Sequence, residues 1–95
     1  MYARVTSIQI HPAQLAEMRA AMPQAAAKLK AIPGILACKA CWDDTGKGTV
    51  MAIYQSQQHA DAAADSVRNI WGGLMGYLAV APSVSTGTEV FDLLS

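Results

Sequence analysis

Residues 32–56, IPGILACKACWDDTGKGTVMAIYQS, decide the fold, because two apolar runs flank a turn too polar to be buried. Asp43-Asp44-Thr45-Gly46-Lys47-Gly48 gathers residues that accept φ > 0 or bond their own backbone, so the chain reverses there as a β-hairpin. Pairing Trp42 with Thr49 places Leu36, Cys38, Ala40 and Trp42 on one face with Met51 and Ile53. The opposite face then carries Ile35, Ala37, Cys41, Val50, Ala52 and Tyr54, with Lys39 as its only charge. Neither face suits water. The hairpin therefore predicts a sheet covered by helices on one side and, most economically, by a second copy of the same sheet on the other. Ile35, Ala37, Val50, Ala52 and Tyr54 are the dimer-interface candidates.

Composition points the same way. A chain of 95 residues and 10.0 kDa is a single domain spanning 1–95 that buries roughly 60–65% of its unfolded surface. With 53% hydrophobic and 15% charged residues and a mean hydropathy of +0.22, it has more apolar surface than so small a body hides inside itself, even after discounting its many alanines. A C2 homodimer with a self-complementary patch is the expected outcome. Seven basic and seven acidic residues cancel without a block of either sign, which argues against nucleic acid or an anionic membrane as partner. No apolar run approaches the roughly 20 residues that span a bilayer, and the first residues lack a basic region followed by an apolar one, so a cytoplasmic protein is expected.

Along the chain, Tyr2 to Ile10 alternates as a strand, and His11-Pro12 opens a helix. Leu15, Met18, Met22, Leu29 and Ile32, with Ala25 and Ala26 between, form its apolar stripe, which Pro23 should kink or restart. Pro33-Gly34 ends it. After the hairpin, Ser56 caps a second helix whose stripe is Ala60, Ala63, Ala64, Val67, Ile70, Trp71, Leu74 and Leu78. Gly72, Gly73 and Gly76 weaken that helix, which implies either close approach of another backbone or a ligand, or a loosened end. A last strand is expected over roughly Gly87 to Leu94. The order β-α-β-β-α-β, folded with right-handed crossovers, is the ferredoxin-like plait: an α+β fold with a four-stranded antiparallel sheet and both helices on one face.

Ile32-Pro33-Gly34 before a short strand, the Asp/Gly turn, and Tyr54-Gln55-Ser56 opening an alanine-rich helix together resemble the antibiotic biosynthesis monooxygenase group of dimeric α+β barrel proteins. The resemblance covers nearly the whole chain. It implies a homodimer whose sheets face each other, with a ligand cavity in each subunit between helices and sheet. Members of that group include oxygenases of aromatic polyketides or quinols that use neither metal nor flavin, haem-degrading proteins, and many without an assigned activity. Trp71 and Tyr77 match a tryptophan and tyrosine six apart on the second helix of the polyketide oxidisers. Thr6 stands where the group often has asparagine, Ala52-Ile53-Tyr54 replaces a Glu-x-Trp pattern, Ala63 replaces a histidine, and Val67 an asparagine. These departures disfavour the haem-degrading version.

Thr6, Trp42, Trp71 and Tyr77 are accordingly the ligand-pocket candidates for a small apolar or aromatic molecule. The alternative is a non-catalytic dimeric module with a filled interior, Trp71 serving only as core. A cavity of about 300 Å³ or more between the second helix and the sheet would separate the two. No catalytic acid, base or nucleophile is legible, since no carboxylate falls on a buried position and no Ser-His or Cys-His arrangement is recognisable. Cys38 and Cys41 are expected to be buried free thiols on opposite faces. With only His11 and His59 besides, neither a metal site nor another cofactor is expected. His59 reads as a solvated surface residue, Lys39 as a guard on an edge strand in preference to a cation facing an anionic substrate, and Arg4 as a partner of a carboxylate such as Glu89 or Asp92.

Overall fold

The computed structural model describes residues 1–94 and orders them as β1 (Tyr2–Gln9), a 3-10 turn (Pro12–Gln14), α1 (Leu15–Lys30), β2 (Ile35–Trp42), β3 (Lys47–Tyr54), α2 (Gln57–Ala62), α3 (Ala64–Gly72), a second 3-10 turn (Met75–Tyr77) and β4 (Ser83–Gly87). The strands make one antiparallel sheet in the order β2-β3-β1-β4. This is the ferredoxin-like α+β plait expected from the element order, with the helices on one face. Between the layers lie Tyr2, Ile8, Ile10 and Tyr54 from the sheet side, meeting Met18, Ile32, Ala60, Ala63, Ile70, Leu74 and Leu78.

The helical stripes read from the sequence are the ones that pack. Met18 is fully buried, and Leu15, Met22, Ala25 and Leu29 lie against the same core. Of the two outcomes expected at Pro23, the restart does not occur: α1 runs through it as one helix. Pro23 is exposed, so the hydrogen bond it cannot donate is missing on the side that water reaches. The second helical segment is divided where a single helix was predicted. α2 and α3 meet at Ala63, whose φ of −84° and ψ of −7° stay right-handed, so the apolar stripe continues across the junction. α3 stops at Gly72, where Gly73 N–H bonds back to the Asn69 and Ile70 carbonyls. A Cβ at Gly72 or Gly76 would meet nothing within 4 Å, so close approach within this chain is not what those glycines serve.

The hairpin is real but its register differs by one residue. Trp42 lies opposite Gly48, not Thr49, because Asp43 closes the turn on Lys47: Asp43 N–H donates to the Lys47 carbonyl at 3.0 Å, and Gly46 N–H to the Asp43 carbonyl at 3.0 Å. The Asp43 carboxylate accepts from Thr45 Oγ1 at 2.6 Å and from the Thr45 and Lys47 backbone N–H groups, which hold it below the usual carboxylate range. Gly46, at φ +84°, sits against the Ile10 carbonyl, a place and a conformation open only to glycine.

The shift redistributes the faces. Ala40 is now opposite Val50 and Cys38 opposite Ala52, and an irregularity between Ile35 and Ala37 sets Ile35 opposite Tyr54. Val50, Ala52, Tyr54 and Ile35 therefore belong to the helix-covered core, and of the five interface candidates Ala37 alone lies on the open face. That open face carries Ala3, Val5 and Ser7 of β1, Thr49, Met51 and Ile53 of β3, and Ala37, Lys39 and Cys41 of β2.

The last strand also differs. Ser83–Gly87 pairs with β1, and Val90 to Leu94 lies outside any strand. Ile10 bridges Leu78, and Ala79 N–H donates to the Gln9 carbonyl at 2.8 Å. That anchor returns the chain beside Ser7 by residue 83, so the pairing is consumed before the more apolar run arrives.

Candidate functional site

The register lays out the helix-facing side of the sheet in four ranks. They are Trp42, Gly48 and Ile8; Ala40, Val50, Thr6 and Val84; Cys38, Ala52, Arg4 and Thr86; and Ile35, Tyr54 and Tyr2. Thr6, 6% exposed, is the buried polar residue among those described, and it sits between the tryptophan rank and the arginine rank. The sheet thus brings together two of the four pocket candidates, Thr6 and Trp42, on adjacent ranks of one face. Trp71 and Tyr77 come from the helical cover, both half-buried against the core. Tyr77 is tied to the end of β1 through its carbonyl, which accepts from His11 N–H at 2.9 Å.

A polar group that sequence reasoning paired wrongly occupies the next rank. Arg4 Nη2 donates to Asp61 Oδ1 of α2 at 2.9 Å, not to Glu89 or Asp92, because α2 packs on β3, the neighbour of β1, while residues 88–94 leave the sheet. Its guanidinium carbon stands 5.9 Å from the Tyr2 ring centroid, and its Nε is buried without a partner. Tyr54, 2% exposed, is near enough to feel it: burial pushes the phenol above its ordinary value, Arg4 opposes that rise, and Cys38 adds to it. Burial likewise raises the Cys38 thiol. Cys38 is half-buried but Cys41 is exposed, which corrects the expectation of two buried thiols; the two do face opposite sides of β2. Among the described residues no three His, Cys, Asp or Glu side chains gather as a metal site requires, and no helix is long and apolar enough to cross a membrane.

Two clefts open elsewhere. One, of about 580 Å³, runs between the end of α1 and the α2–α3 segment and is lined by Lys28, Ile32, His59, Ser66, Asn69 and Ile70 among others. The other, of about 430 Å³, lies at the hairpin end of the sheet beside Ser7, Ile8, Cys41, Trp42, Asp43 and Lys47. Trp42 lines the second; Thr6, Trp71 and Tyr77 line neither. His59 is not the solvated residue expected: it is half-buried, its ring lies against Gly34, and its Nδ1 is 2.7 Å from Ser56 Oγ. The signal was present in the sequence, since a helix-capping serine and a residue three positions on are always neighbours.

With this geometry in hand, the fold can be compared with solved structures. A protein of Caulobacter crescentus provisionally named an antibiotic biosynthesis monooxygenase superposes with a TM-score of 0.80 at 22% identity, over 95% of this chain and 90% of that one. A cofactor-independent oxygenase of Streptomyces nogalater, SnoaB, in its N63A mutant, gives 0.78 at 15% identity over 99% and 97%. Rv0793 of Mycobacterium tuberculosis gives 0.75 at 15% identity over 97% of each chain. No family model matches the chain, and no curated protein matches its sequence. The chain thus has the fold of the antibiotic biosynthesis monooxygenase structures, as its turn and packing signals led one to expect.

Proposed function

We propose that the protein is a cytoplasmic homodimer, closed by the open sheet faces of two copies, which holds a small apolar or aromatic molecule between its helices and sheet and oxygenates it. The observation that carries this reading is Thr6, a buried hydroxyl facing the helical layer one rank from Trp42, in a fold shared with a cofactor-independent oxygenase. In this reading Trp71 stacks on the ring, and Thr6 or Tyr77 donates a hydrogen bond to the substrate oxyanion that reacts with dioxygen in a site from which water is excluded. For an anthrone the stoichiometry closes without a further reductant: one O₂ converts the ring CH₂ to a carbonyl and releases one H₂O.

A second reading, a dimeric binding module without catalysis, is favoured by the two described clefts, both of which lie outside the Thr6, Trp71 and Tyr77 region. Dioxygen uptake on anthrone and a panel of hydroquinones separates the two. The oxygenase reading expects uptake that falls at least about tenfold in Thr6→Val or Trp71→Phe, as loss of one positioned group does. Uptake that is absent, or that neither variant changes, favours the module.

A further inference from the structure

The cleft between α1 and the α2–α3 segment plays no part in the function just proposed, and its chemistry is one-sided. We infer that it binds a small amphipathic anion, an aromatic or branched aliphatic carboxylate, with the carboxylate against Lys28 and His59 and the apolar body on Ile32, Ala63 and Ile70. Its volume of about 580 Å³ is that of a small-molecule site. Ile32, Ala63 and Ile70 are buried and form an apolar floor, while the polar lining consists of Lys28, His59, Ser66 and Asn69, with no carboxylate among the lining residues.

The acidic residues nearest in sequence are already committed. Asp61 is bound to Arg4 at 2.9 Å and Asp65 to Arg68 at 2.8 Å. The free carbonyls at the end of α1 disfavour an anion, and Lys28 in that last turn offsets them.

The His59 ring is held in place before any ligand arrives. Gly34 lacks a side chain where the ring packs, and Ser56 Oγ accepts the His59 backbone N–H at 3.2 Å while standing 2.7 Å from Nδ1. When the Ser56 hydroxyl turns its proton to Nδ1, the neutral ring carries its own proton on Nε2. A charged ring carries one there as well. In either of these forms the Nε2–H is a donor of the kind that recognition of a carboxylate uses.

The test uses 1-naphthoate and its neutral analogue 1-naphthalenemethanol, titrated into the ¹⁵N-labelled protein. Saturable shifts are expected at Ala62, Ala63, Ser66 and Asn69 with naphthoate, and binding about tenfold weaker for the alcohol and for Lys28→Ala, the loss of one charge-assisted hydrogen bond. Ser66→Trp, an exposed substitution that fills the cleft, should abolish binding while leaving the thermal midpoint unchanged. Equal affinity for the alcohol, shifts confined to the open sheet face or the hairpin cleft, or undiminished binding by Ser66→Trp overturns the inference. Dioxygen uptake does not enter the readout, so the oxygenase reading can fail while this site stands.

Discussion

The His59 ring packs against the bare α-carbon of Gly34, and a methyl group added to Gly34 would collide with Cγ and Cδ2 of that ring and with the Cβ that carries it. Gly34 also has φ +81°, so the junction between α1 and β2 is closed to other residues on two counts. Gly34→Ala should destabilise the protein by roughly 2–4 kcal/mol, combining the left-handed backbone cost with overpacking. In a His59→Ala background the same change should cost about 1 kcal/mol less, because the clash with the ring goes while that with the Cβ of residue 59 stays. Urea denaturation of the four proteins measures both. Equal costs in the two backgrounds would show that the ring yields freely.

Alkaline pH should weaken the fold through Tyr54 and Cys38. Burial raises the phenol above 10.0 and the thiol above 9.0, so both groups hold their protons more tightly folded than unfolded. Their contribution is therefore complete below the unfolded values and is lost as pH rises through the folded ones. The urea midpoint should hold to about pH 9 and fall beyond it, less steeply in Tyr54→Phe. A Tyr54→Phe profile parallel to that of the parent protein would remove Tyr54 as the cause.

The proposed dimer makes Met51 the most economical point of attack. It lies on the open face, 44% exposed in one chain, with Val5 and Lys39 as its cross-strand neighbours. Met51→Asp should convert a particle of twice 10.0 kDa into one of 10.0 kDa in sedimentation equilibrium, with its far-UV spectrum intact. A parent protein that already sediments as a single chain at micromolar concentration would end the dimer reading.

Much of this fold was legible because it is written in punctuation and period. Pro33-Gly34, the Asp/Gly turn and Ser56 fixed the element boundaries, and the stripes through Met18 and Ile70 fixed which helix sides turn inward. The register was not legible, because composition does not say whether Asp43 will close the turn on Lys47, and one residue there exchanges the faces of Val50, Ala52 and Tyr54 relative to β2. The last strand was misplaced for a related reason. An edge strand joined by its backbone needs no apolar side chains, so Ser83–Gly87 gave a weaker signal than the run it precedes. Thr6 and Trp42 share the helix-facing side of the sheet, a placement that alternation gives only once the register is known. Arg4 with Asp61, and His59 with Gly34, are meetings between elements distant in the chain or at a loop, and no single period encodes them.

The two sulfur atoms of β2 carry a practical consequence. Three residues apart on an extended strand, their α-carbons are separated by roughly 10 Å, past the reach of a covalent bridge, and they look away from each other. Air oxidation therefore cannot staple the chain internally. Any S–S bond it makes must join separate molecules, beginning at Cys41, exposed in the single chain, so ageing stocks kept without reductant should show a disulfide-linked pair on a non-reducing gel that a Cys41→Ser preparation does not.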